Sequence, residues 1–124
     1  MADTWEFDGS RWKQVMVESP PGIKLRHNLT YDPAGERIIL FGGKDLWSWD
    51  GTIWKLLAND GPEVFMAAAC MDESSSRLQI FGGVQEDDLL TSATWFWDGH
   101  EWHCANAGQK WAWSDTTENY YMLP

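Results

Sequence analysis

Few side chains in this sequence are of the kinds that make or break bonds. Three histidines stand at His27, His100 and His103, and two cysteines at Cys70 and Cys104. His100 and His103 lie three positions apart just after an Asp-Gly pair, a spacing that sends them to opposite faces of a strand. There is no His-x-x-x-His for a helical metal site and no Cys-x-x-Cys. The pairs Gly42-Gly43 and Gly82-Gly83 follow apolar strands but open no helix, so they carry no dinucleotide signature. No serine sits in a nucleophile-elbow context. These residues predict a non-enzyme, with no catalytic group, cofactor or metal; an enzyme is the least favoured alternative.

What remains is binding chemistry. Glu86, Asp87 and Asp88 form the densest acidic cluster and run into Leu89 and Leu90. Their spacing is not that of a calcium loop. Acids beside leucines on a loop are candidate contacts for a protein partner. Tryptophan offers a second chemistry, because an exposed indole face stacks on a sugar ring. Trp111 and Trp113 are the candidates for that carbohydrate-binding alternative.

Composition narrows the partners. Acidic residues outnumber basic ones 19 to 9 over 124 residues, a formal net charge of −10. Such a surface repels a phosphate backbone and an anionic membrane alike. No apolar run follows Met1 and none approaches spanning length, so a soluble and cytoplasmic chain is expected. Both cysteines sit in apolar strand contexts, which predicts two buried free thiols.

The ten tryptophans are far too many to be scattered at random, and they fall in a repeat. Thr4–Val15, Leu46–Leu57 and Thr94–Ala105 align without a gap. Trp5, Trp47 and Trp95 share one column, and Trp12, Trp54 and Trp102 share another. Between them come an aromatic residue and Asp-Gly, at 8–9, 50–51 and 98–99. Trp-x-aromatic places two rings on one strand face, and Asp-Gly favours a tight hairpin turn. Each copy therefore reads as an aromatic hairpin.

A second block repeats between the hairpins. Asn28–Gly43 aligns with Ala68–Gly83, sharing Asp32/Asp72, Arg37/Arg77, Phe41/Phe81 and the glycine pairs. It reads as a strand, a turn and an apolar strand buried on both faces, closed by Gly-Gly. The two blocks together give a four-stranded antiparallel meander of about forty residues, the size of one propeller blade.

This order of motifs resembles the kelch repeat. Gly42-Gly43 with Trp54, and Gly82-Gly83 with Trp102, match the family's glycine doublet and fourth-strand tryptophan over residues 1–105. The resemblance implies an all-β fold of propeller blades and a protein-binding role, and it would place the site of the least favoured alternative, an enzyme, in the central channel. The Arg and His that usually precede the first strand are echoed only by Arg26 and His27, and Met66 and Ala67 replace them in the next unit.

The blade count departs from the family. Residues 1–17 give only an outer hairpin, 18–57 and 58–105 give full blades, and 106–124 matches no blade start. Trp111-Ala112-Trp113 and Tyr120-Tyr121 are read there as strands about a turn, either the inner two strands that complete a neighbour's blade or a divergent cap. A ring needs roughly four to eight blades, so an incomplete ring in one chain points to a homo-oligomer joined through blade edges. Loops 18–26, 58–65, 44–46 and 84–93 share one face. The last is the longest: Gly43 to Trp47 is four positions and Gly83 to Trp95 twelve, an excess of eight. Insertions of this kind often mark the binding face.

Overall fold

The computed structural model describes residues 3–18, 20–22 and 27–124. Every regular element among them is a β-strand. In chain order these are β1 (Thr4–Phe7), β2 (Trp12–Val15), β3 (Asn28–Asp32), β4 (Arg37–Gly42), β5 (Asp45–Trp49), β6 (Trp54–Ala58), β7 (Val64–Phe65) and β8 (Ala68–Asp72). There follow β9 (Arg77–Phe81), β10 (Val84–Gln85), β11 (Leu90–Thr91), β12 (Thr94–Trp97), β13 (Trp102–Asn106), β14 (Lys110–Ser114) and β15 (Asn119–Met122). No helix among the described residues is long and apolar enough to cross a membrane.

Two four-stranded antiparallel meanders form the body: β3-β4-β5-β6, and β8-β9-β12-β13 in spatial order. The first has every successive pair adjacent. The second keeps the same plan but interposes β10 and β11 between its second and third strands. A separate sheet, β15-β14-β11-β10-β7, collects the short connecting strands and the C-terminal hairpin, and β1-β2 stands as a two-stranded sheet.

The Asp-Gly hairpins form where the repeat places them. Phe7 pairs with Trp12, Trp49 with Trp54 and Trp97 with Trp102, each across a four-residue loop. Gly9, Gly51 and Gly99 adopt φ of +100°, +99° and +101°, a left-handed backbone that only glycine takes without strain. The aspartate organises the rest. Oδ1 of Asp8, Asp50 and Asp98 accepts the two N–H groups at the far side of its own loop, from Ser10 and Arg11, Thr52 and Ile53, and His100 and Glu101.

The core lies between the meanders. Ile39, Phe41 and Leu46 of the first pack with Leu78, Ile80 and Trp97 of the second. Ile39 and Phe41 point to one face of their sheet, whereas Leu78 and Ile80 occupy the columns of Ile38 and Leu40, which point to the other. Opposite faces of equivalent sheets therefore meet, the front of one on the back of the next. Each large side chain so buried contributes about 1.5–3 kcal/mol. The Phe41 and Trp102 rings meet across this junction with centroids 5.4 Å apart. Asn28 Nδ2 also donates to the Ala67 carbonyl at 2.8 Å.

The N-terminal hairpin covers the outer half of the first meander. Trp54 Nε1 donates to Thr4 Oγ1 at 2.9 Å, and Trp49 Nε1 to Glu6 Oε1 at 3.3 Å. Trp5 and Trp12 themselves stay exposed, because no second sheet lies on their other side.

Four expectations need correction. Cys70 and Cys104 are exposed: Cys70 pairs with Gln79 on the face turned away from the shared core, and Cys104 lies on the edge strand β13. The second strand of the block is buried on both faces only in β4; β9 alternates, with Leu78 and Ile80 in and Gln79 and Phe81 out. The stretch 84–93 is not a plain loop but carries the β10–β11 hairpin. Finally, 106–124 folds as the expected strand, turn and strand, but it also matches the inner-hairpin block, a match not expected from the sequence. Ser114 pairs with Asn119 as Asp32 pairs with Arg37 and Asp72 with Arg77. Glu36, Ser76 and Glu118 all turn left-handed at the same loop position. Ser114 Oγ accepts from Thr117 N–H where Asp32 Oδ1 accepts from Gly35 N–H. Trp111 and Trp113 thus occupy the columns of Leu29 and Tyr31 and belong to the repeat.

Candidate functional site

The insertion between β9 and β12 folds back on itself. Val84 pairs with Leu90, Gln85 N–H bonds the Leu89 carbonyl at 2.9 Å, and Asp88 N–H bonds the Gln85 carbonyl at 3.0 Å. Asp88 sits at φ +61° and Asp87 Oδ1 accepts Leu89 N–H at 3.3 Å. Both edges of the hairpin are held: Gln85 pairs with Val64 on one side, and Leu90 pairs with Trp111 on the other. The acidic turn is therefore a projection on a rigid base.

Of the five candidate contacts, Glu86, Asp87 and Asp88 are exposed and Leu89 and Leu90 are half-buried. The leucines help to seat the hairpin, and the three acids present it. Glu86 and Asp87 edge a shallow cleft of about 290 Å3 with Glu63, Gln85 and Lys110. A second depression adjoins it, where Glu86 and Glu63 meet Gly43, Lys44 and Phe65. Lys44 and Glu63 approach to 3.9 Å with both side chains about half exposed, a pair worth little in water. Gln85 Oε1 is buried at the cleft edge and has no hydrogen-bond partner. The cleft thus offers the carboxylates of Glu86, Asp87 and Glu63, with Lys110 at its edge, a setting suited to a cationic donor.

The repeat residues are structural where two sheets meet. Gly43 bridges to Val64. A Cβ at Gly83 would stand 2.7 Å from the Phe65 carbonyl oxygen, which explains glycine there. Gly82, at φ +70°, turns the chain out of β9. Gly42 is buried, Trp47, Trp54, Trp95 and Trp102 are partly buried, and Trp5 and Trp12 are exposed. Arg26 lies outside the described residues.

One cluster escaped sequence reasoning. Asp98, Glu101 and His103 bring three ligand-type atoms within 4.8 Å of one another. His103 Nε2 lies 2.7 Å from Asp98 Oδ2 and 3.7 Å from Glu101 Oε1, and the ring stacks on Phe96 at 4.8 Å. The Glu101 N–H bond, the His103 contact and the His100 N–H bond hold the Asp98 carboxyl well below the usual carboxylate range. A metal here would have to displace the His103–Asp98 contact, so the group reads as a hydrogen-bonded side-chain pair that locks the turn. The signal lay in the four-residue loop, which brings Asp98 and His103 together across its mouth.

No protein-family model matches this chain, and no curated protein matches it either.

Proposed function

We propose that the chain is a non-catalytic binding and assembly module, built of kelch-like propeller blades that join through their edges into a closed ring and present the β10–β11 hairpin to a protein partner. The front-to-back packing of the two meanders supports the blade reading, since radially stacked sheets must meet in that way. The observation that carries the binding reading is the hairpin itself. It has no counterpart in the first meander, it is held on both edges, and it presents the exposed Glu86 and Asp87 at the cleft edge. A partner surface with lysine or arginine fits this chemistry.

The test is a photo-reactive residue at Asp87, with one at Thr52 on the opposite end of the strands as reference. The reading expects a discrete protein captured at position 87 only, and capture lost when Glu86 or Asp88 is changed to lysine. Capture that is equal at both positions, or indifferent to the charge reversals, contradicts it.

A further inference from the structure

We infer that the open ends of this chain are completed by a second copy, so that two chains make one ring. The inference deepens the assembly reading and rests on it. The junction between the two meanders shows what a finished contact looks like: Phe41 is 2% exposed, with Trp102 lying on it. Phe81, the same column of the second meander, is 54% exposed. It lines an apolar depression with Ala68, Cys70, Gln79 and Thr94. Trp12, in the column of Trp102, is 67% exposed on the N-terminal hairpin. One end of the chain carries an empty seat, and the other end carries the ring that fits it.

Hydrogen bonding follows the same columns. Trp54 Nε1 finds Thr4 Oγ1, the first residue of the preceding aromatic hairpin. For Trp102 that column holds Leu46, and Trp102 Nε1 is buried without a partner. For Trp12 of a second copy the column holds Thr94, whose hydroxyl restores the bond. The seat therefore suits Trp12 in polarity as well as in shape.

The main chain is complementary too. β15 ends its sheet, and β1 has only β2 beside it. In the meanders, second and third strands pair Ile39 with Ser48 and Gln79 with Phe96. The same columns set Tyr121 opposite Glu6 of the second copy. Tyr120, Tyr121 and Met122 on β15, and Trp5 and Phe7 on β1, are all exposed in one chain and become covered. Two full meanders and two half units make three blades per chain. Two copies give six, within the roughly four to eight that close a ring, whereas one copy or three copies fall outside. The junction occurs twice about a two-fold axis.

Light scattering of the intact chain should give twice 14.2 kDa. Trp12→Ala should keep its β-sheet circular dichroism and weaken association about thirtyfold or more, the scale for a central interface tryptophan. With Cys70→Ser and Cys104→Ser in place, Glu6→Cys with Tyr121→Cys should form an interchain disulfide under mild oxidation. Thr4→Cys with Tyr121→Cys, two residues out of register, should not. A folded monomer, a mass above two chains, unaltered association of Trp12→Ala, or equal cross-linking of both cysteine pairs overturns the inference. A folded monomer that still captures its partner at Asp87 sinks the two-chain ring and leaves the hairpin as binding site standing. A cross-linked dimer with no capture does the reverse.

Discussion

Phe41 and Phe81 occupy the same position in two meanders of the same plan, yet Phe41 is 2% exposed and Phe81 54%. The difference comes from what lies in front of each sheet. Trp102 covers Phe41, and nothing among the described residues of the same chain does this for Phe81.

The two phenylalanines should therefore differ in cost. In a Trp12→Ala background at low protein concentration, where association is weakened, Phe41→Ala is expected to lose about 3–5 kcal/mol of stability. Phe81→Ala is expected to lose under about 1 kcal/mol. Urea denaturation measures both, and equal losses would contradict the packing described.

The thiols report on the same faces. Cys104 should react with a chromogenic disulfide reagent in the folded protein, because it is exposed. Cys70 lines the depression beneath Phe81, so it should be protected in the assembled protein and released by Trp12→Ala. Equal rates for both thiols in the assembled protein would argue against a covered depression.

Gly83 and Gly9 separate backbone strain from steric overlap. Both have φ above +90°, but a Cβ at Gly9 meets nothing within 4 Å and one at Gly83 meets the Phe65 carbonyl at 2.7 Å. Gly9→Ala is expected to cost about 1 kcal/mol and Gly83→Ala two to three times as much. Thermal melts of the two variants should rank accordingly.

Much of this architecture could be read from the residues. The three Asp-Gly hairpins were legible because the turn needs both a left-handed glycine and a carboxylate acceptor, and each copy keeps both. The C-terminal segment was legible as two strands about a turn, but its match to the inner block was not. Its turn is set by a left-handed backbone at Glu118 and a hydroxyl acceptor at Ser114, which replace Glu36 and Asp32 with different chemistry at one of the two positions. Only Glu36/Glu118 and the aromatic pair Tyr31/Trp113 signalled the match. The β10–β11 pairing was hidden as well, since three consecutive acids mask a hairpin that is held by neighbouring strands rather than by its own propensity. At the candidate site, the acidic turn was legible as an insertion. Its cleft with Glu63 and Lys110 was not, because those residues arrive from distant parts of the chain.

Acid should loosen the turns. The carboxyls of Asp8, Asp50, Asp72 and Asp98 are all lowered, mainly by hydrogen bonds donated within their own loops. A carboxyl depressed in the folded state adds stability that is complete above its unfolded value, about 4, and is lost as pH falls toward the folded one. Stability should therefore drop below about pH 4, and Asp98→Asn should flatten that decline. Denaturation midpoints followed from about pH 6 to about pH 2 will show whether the two slopes differ.

The most direct probe of front-to-back packing is a double-mutant cycle on Phe41 and Trp102. With Phe41→Ala, Trp102→Ala and the double variant, unfolding free energies should show a coupling of about 0.5–1.5 kcal/mol, as for an aromatic pair in contact. Strictly additive losses would mean that the two rings do not meet and that the meanders are not stacked through them.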